Sequence, residues 1–175
     1  MNITQHLATT LKSLRQAKGW SLSKLADETG VSKAMLGQIE RNESSPTVST
    51  LWKIATGLSV PFSAFITPPE NIPTVFDPQQ QAMTVKPLFP WDETLKFDHF
   101  SITLAPGALS ESTPHAAGVI EHVVVISGEL DMHIDGAWHT LVADSGVRFA
   151  GDKPHAYRNS SGQVAHFHSL IHYPR

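Results

Sequence analysis

Residues 114–128 read PHAAGVIEHVVVISG. From Val119 to Ile126 the run is dominated by β-branched side chains, which suit a pleated strand, and Gly128 closes it. Alternate residues of a strand share a face, so Glu121 travels with Val123 and Val125 while His122 takes the opposite surface. A carboxylate on an apolar row is costly unless something neutralises it. His115 stands just ahead as a candidate partner. The stretch therefore poses three readings: a metal grip, a small-molecule pocket, or a decorated strand.

Working outward, the two-residue rhythm continues. FDHFSITLAPG (97–107) alternates Asp98, Phe100, Ile102 and Leu104 against Phe97, His99, Ser101 and Thr103, as a half-buried strand does. ELDMHIDGAWHTL (129–141) carries Asp135-Gly136, a pair suited to a two-residue type I′ turn. VRFAGDKPHAYRNSSGQVAHFHSLIHY (147–173) adds strands broken at Gly151, Pro154 and residues 160–162. Its His166, His168 and His172 share one face, and which face looks inward is open. About six to nine short antiparallel strands with regular turns imply a sandwich or a barrel.

The chain of 175 residues is 41% hydrophobic and contains no cysteine. That is enough apolar content for a core, in one large domain or two small ones. Without cysteine there is no disulfide framework or thiolate site, so a metal must be held by histidine and carboxylate. No run approaches the ~18 apolar residues of a membrane helix, and MNITQHLATTLKSLRQ lacks the apolar core of a secretory signal; a cytoplasmic location with no membrane partner is expected. Charge divides unevenly. Residues 1–66 hold seven Lys or Arg against four Asp or Glu, whereas residues 67–175 hold six against twelve and nine of the ten histidines. Two modules with different partners are implied: 1–67, a Pro- and Gln-rich linker at 68–81, and 82–175.

In the first module apolar residues recur at Ile3, Leu7, Leu11 and Leu14, one face of a helix stopped by Gly19. Ser21 is a natural N-cap for LSKLADETG, and Gly30 supplies the left-handed turn. Ser32 caps KAMLGQIERN, in which Met35, Leu36 and Ile39 are expected to point inward and Lys33, Ala34, Gly37 and Gln38 outward. A fourth helix follows Ser45-Pro46-Thr47, and a short fifth follows Pro61. Five short helices with a tight turn between the second and third outline a helix-turn-helix domain.

Residues 19–66, through Leu25-Ala26, Gly30-Val31-Ser32, Ile39-Glu40, Pro46, Leu51, Ile54 and Ala55, resemble the phage-repressor-like family of the Xre or Cro/C1 type. The resemblance implies an all-α, lambda-repressor-like domain whose third helix enters the major groove of double-stranded DNA. Carried over by position, Ser32, Lys33, Ala34 and Gln38 face the bases. Ser21, Ser23, Arg41, Asn42 and Ser44 face phosphates. The serines of the second helix can equally be caps, and Arg41 can pair with Glu40 or Glu43. The modest positive charge makes one domain a weak, salt-sensitive binder. A homodimer on a near-palindromic operator, with half-sites ~34 Å apart, is the usual remedy.

The second module resembles the cupin family, an all-β double-stranded β-helix barrel. Its first motif, G-x5-H-x-H-x3,4-E-x6-G, is matched by His115, Glu121 and Gly128; its second, G-x5-P-x-G-x2-H-x3-N, by His155 and Asn159. Ala117 replaces the second histidine, Gly107 is displaced, and Ala150 and Asp152 stand where proline and glycine belong. The resemblance implies His115, Glu121 and His155 as metal ligands, with parity putting His155 beside Tyr157 inside. Two imidazoles and a carboxylate suit a divalent metal: zinc with an open position, or ferrous iron as a facial triad. A fourth ligand from His166, His168 or His172 stays open. Tyr157 and Arg148 are candidates to orient a ligand carboxylate, and Glu121 can alternatively pair with His115 or Arg148.

Three functions are compatible with this layout. The barrel is a sensor whose small-molecule effector resets two DNA-reading domains; or a metal-dependent oxygenase or isomerase with a DNA-binding leader; or a dimerisation platform. STPH, GVIEHVVVI and FHSLIHYPR resemble a cupin regulator linked with sulphur utilisation, which implies a sulphur-containing amino acid as effector. We expect a regulator and not an enzyme, because the motif lacks one histidine and no separate acid or base stands ready for turnover.

Overall fold

Hydroxyl oxygens start the helices of the N-terminal half. Ser21 Oγ accepts from the Lys24 amide at 3.1 Å, Ser32 Oγ from Met35 at 3.2 Å and Thr47 Oγ1 from Thr50 at 3.2 Å, each satisfying an orphan donor of a first turn. The elements are α1 (Ile3–Ala17), α2 (Leu22–Thr29), α3 (Lys33–Glu40), α4 (Val48–Leu58) and a 3₁₀ turn (Phe62–Phe65), the last taking the place of the expected fifth helix. The computed structural model describes residues 3–66, 82–89, 91–92 and 94–174. Two compact units, Met1–Thr67 and Pro68–Arg175, make up the chain, and the expected linker lies outside the described residues. No helix among the described residues is long and apolar enough to cross a membrane.

Leu11, Leu25, Leu36, Ile39, Ile54, Leu58, Phe62 and Phe65 form the helical core, with Trp52 stacked on Phe62 at 3.9 Å. One ion pair is built into it. Arg15 of α1 grips Glu40 of α3 with two hydrogen bonds of 2.6 and 2.8 Å and donates a third to the Trp20 carbonyl. This pair explains a correction to the sequence reading of α3. Because Glu40 is drawn inward, the buried stripe runs through Leu36, Gly37, Ile39 and Glu40, which turns Met35 out to solvent and Gly37 in. A Cβ at residue 37 would stand 3.1 Å from the Arg41 guanidinium, which lies over it.

The second unit consists of two antiparallel sheets. The five-stranded sheet has the order β1 (Met83–Phe89), β2 (Phe97–Leu104), β9 (Ala165–His172), β4 (Ile120–Ser127), β7 (Gly146–Ala150). The four-stranded sheet has the order β3 (Leu109–Ser112), β8 (His155–Arg158), β5 (Glu129–Ile134), β6 (Ala137–Val142). On β2, Asp98, Phe100, Ile102 and Leu104 are buried and their neighbours half-exposed, as the alternation predicts. Asp135 and Gly136 both take positive φ, 49° and 82°, the conformation a type I′ turn requires. Buried Asn159 ties the far end together: its amide nitrogen donates to the Leu104 and Gln163 carbonyls, and its oxygen accepts from Ser161.

Candidate DNA-reading surface and candidate metal site

On the first unit, Ser32, Lys33, Ala34, Met35 and Gln38 form an exposed face of α3. Ser21 and Ser23 are exposed at the start of α2, and Arg41 and Asn42 are exposed with Ser44 half-buried after α3. The capping serines use an oxygen lone pair, which leaves each hydroxyl hydrogen available to an outside acceptor. Arg41 pairs with Glu43 through two bonds of 2.8 Å rather than with Glu40, which belongs to Arg15.

In the second unit, β4 delivers Glu121 to the interior with Val123 and Val125, and β8 delivers His155 and Tyr157. The loop before β4 brings His115, held by its amide donating to the Gly151 carbonyl at 2.9 Å. Among the described residues these three side chains form a group whose ligand atoms all lie within 4.8 Å of one another. All are buried.

The electrostatics of the group are unusual. His115 Nε2 and His155 Nε2 lie 2.8 and 3.2 Å from the same oxygen, Glu121 Oε1. Despite these distances, neither Glu121 Oε1 nor His155 Nε2 has a hydrogen bond of acceptable direction. A backbone carbonyl only accepts, so the 2.9 Å contact of His155 Nδ1 with Lys153 O puts a proton on Nδ1 and turns Nε2 toward the carboxylate. Such fixing of the ring by its far nitrogen is the usual support of a metal-binding histidine. Tyr157 donates to the other oxygen, Oε2, at 2.7 Å. Burial by itself would raise the pKa of Glu121, but the two imidazoles outweigh it and hold the carboxyl well below the usual carboxylate range. Burial would likewise lower His155; its contacts with Glu121 and the Lys153 carbonyl outweigh that and raise it. Tyr157 is pushed well above the ordinary phenol value by burial and by the Glu121 charge, so it stays a donor. His115, Glu121 and His155 are the donor set that could hold a divalent cation.

One expectation is corrected here, and one open question is resolved. Arg148 does not line the interior: it is exposed and pairs across the ladder with His122, while Phe149 lies opposite Glu121, its ring 5.1 Å from that of His155. In VRFA a charged residue alternates with apolar ones, a signal that already separates Arg148 from the core face. His166, His168 and His172 also face outward, because Ala165, Phe167, Ser169 and Ile171 are the buried set of β9. His166 bonds Ser101 at 2.8 Å and His168 packs edge-on to His99, so no fourth ligand comes from this strand. Gly151 was missed as part of the site. A Cβ there would stand 2.9 Å from Glu121 Oε1 and 3.2 Å from the His115 ring, so the absence of a side chain keeps the space between ligands open.

A helical reader with an exposed capped helix, joined to a double-sheet barrel with inward histidines and glutamate, defines a class. The chain belongs to the helix-turn-helix transcriptional regulators that carry a cupin domain. Residues 11–65 match the helix-turn-helix family and residues 100–171 the cupin domain family. The HTH-type transcriptional regulator SutR of Escherichia coli K12 is 68% identical over 175 residues, covering 99% of this chain and 98% of SutR. The regulator PuuR of the same organism is 24% identical over 164 residues, 88% of each chain. A crystal structure of an HTH_3 family transcriptional regulator from Vibrio cholerae superposes with a TM-score of 0.85 at 42% identity, covering 99% of this chain and 98% of that one. The cupin domain of an XRE family regulator from Enterobacter cloacae, 85% identical, covers 54% of this chain and 100% of its own with a TM-score of 0.54.

Proposed function

We propose that the protein is a sequence-specific, effector-responsive regulator: α3 reads a near-palindromic operator as part of a homodimer, and the barrel senses a small molecule at a bound divalent metal. The observation that carries the sensor reading is the convergence of His115, Glu121 and His155 in the buried interior, with Glu121 Oε1 and His155 Nε2 lacking aligned partners. His115 Nε2, His155 Nε2 and Glu121 Oε1 would hold the ion, zinc or ferrous iron, while Tyr157 holds the carboxylate and Gly151 leaves room. A divalent cation held by these three residues would supply the charge that balances Glu121 and a Lewis-acid site for an effector's carboxylate, amine or sulphur. The candidate effector, a sulphur-containing amino acid, comes from the sequence resemblance. Regulation requires that the effector bind the operator-bound and free arrangements with different affinity.

On the DNA side, exposed Ser32, Lys33, Ala34 and Gln38 support base contact. Ser21, Ser23, Arg41, Asn42 and Ser44 suit phosphates, Arg41 by exchanging Glu43 for the backbone. The test is elemental analysis of the purified full chain, mass spectrometry of what co-purifies, and DNA affinity with and without L-cysteine or L-methionine. We expect about one metal per chain, lost in His155→Ala, and a shift in DNA affinity. A metal-free, empty barrel with unshifted affinity would leave it a dimerisation platform; oxygen or substrate consumption by the metal-loaded protein would make it an enzyme.

A further inference from the structure

Among the described residues of the helical unit, Met35 is the one large hydrophobic side chain left exposed, at 39%. A single exposed apolar residue carries little meaning alone. Its position carries more. On an α-helix residues three and four apart are neighbours, so Met35 and Ala34 both flank Gln38 and the three form one continuous stripe. Lys33 and Glu40 lie off that stripe, while Arg41, three residues beyond Gln38, continues it at the C-terminal end with its guanidinium paired to Glu43. Met35 is also held at the helix start, its amide donating to Ser32 Oγ at 3.2 Å. Because Cα–Cβ bonds tilt toward the N-terminus of a helix, its side chain leans over the first turn, the end that carries Ser32 and Lys33.

A neutral stretch preceded by Lys33 and followed by Arg41 matches a major groove, where base edges form the floor and phosphates the walls. The apolar feature of that floor is the 5-methyl group of thymine, and Gln38 beside Met35 suits an adenine edge. Methionine's flexible, polarizable chain covers such a methyl more fully than the single carbon of Ala34. Resting on the DNA-reading function proposed above, we propose that Met35 is a specificity-determining residue of α3, which selects thymine by packing on its 5-methyl group.

The probe is the duplex that the full-length protein enriches from a random library. Each thymine is replaced in turn by deoxyuridine, which removes only the methyl, and Kd is measured at fixed salt. For the wild type we expect one pair of symmetry-related positions to weaken binding about fourfold per half-site on losing the methyl. Met35→Ala should be indifferent to that replacement, and Met35→Leu should recover part of the sensitivity. Since an exposed side chain is removed, Met35→Ala should keep the wild-type unfolding midpoint. Equal methyl sensitivity in Met35→Ala and wild type, or no methyl-sensitive position in the wild type, overturns the assignment to Met35 and leaves the DNA-reading function standing. Failure of the full chain to enrich any sequence overturns that function, and this assignment with it.

Discussion

Glu40 and Glu121 are both buried carboxylates, their side chains 7% and 0% exposed, and their surroundings differ in kind. Each oxygen of Glu40 receives its own bond from the planar fork of Arg15, one cation matched to one anion. At Glu121 two imidazoles crowd a single oxygen, and neither that oxygen nor His155 Nε2 finds an aligned partner. Burial by itself therefore does not mark a functional group. A buried charge whose bonding is complete closes a structure. One whose neighbours converge without completing each other's bonding is a candidate for a bound ion.

The strongest way to break this comparison is to remove both charges. Glu40→Gln leaves the part-buried Arg15 without its anion and should cost about 1.5–3 kcal/mol in denaturant unfolding. Glu121→Gln, measured on metal-stripped protein, removes the anion that both imidazoles and Tyr157 face and should destabilise as well, so added divalent cation is what separates the two sites: it should raise the unfolding midpoint of the wild type and of Glu40→Gln but not of Glu121→Gln. A midpoint that added metal leaves unmoved in the wild type would mean that Glu121 is a structural residue like Glu40. A finer test is Tyr157→Phe, which frees Oε2 without touching a donor atom of the triad. Loss of such a support should weaken metal affinity about tenfold in a competition titration, and unchanged affinity would detach Tyr157 from the site.

The smallest effect concerns a third carboxylate, Asp131, on the outer face of the four-stranded sheet. It accepts from Thr140 at 2.7 Å, Ser160 at 2.7 Å and Arg158 at 3.1 Å, and Arg158 in turn stacks 4.0 Å over Trp138. Burial pushes its pKa up, but these bonds outweigh that and set it below the ordinary 3.8. A depressed carboxylate contributes stability that is present above its unfolded value and lost as pH falls through the folded one. Asp131→Asn should therefore cost about 1 kcal/mol at neutral pH, a difference that shrinks as acid protonates the wild type. A penalty independent of pH would place the contribution in packing rather than charge.

Local chemistry was legible in the letters. Ser21, Ser32 and Asp135-Gly136 fall where helix starts and a hairpin turn lie, and the parity of VIEHVVVI correctly separates Glu121 from His122. Errors and open questions arose where a distant partner chose between two locally equal options. Met35 with Leu36 and Ile39 is as good an apolar stripe as Leu36, Ile39 and Glu40 until Arg15, twenty-five residues away, claims Glu40. His166 and His168 share a face in either reading of β9. Only its pairing between β2 and β4 decides that Phe167 and Ile171 take the inner one.

By itself the sequence determined the two kinds of unit, the residue types available to a metal, and the rows on which Glu121 and His155 sit. These follow from periodicity and from cap and turn chemistry, which act over a few residues. The tertiary structure decided that His115 Nε2, Glu121 Oε1 and His155 Nε2 meet around one point, that Gly151 leaves that point open, and that Met35 faces out. Those outcomes depend on sheet register and helix rotation, which are set by whichever remote surface gains most from burial, and no local pattern records that competition.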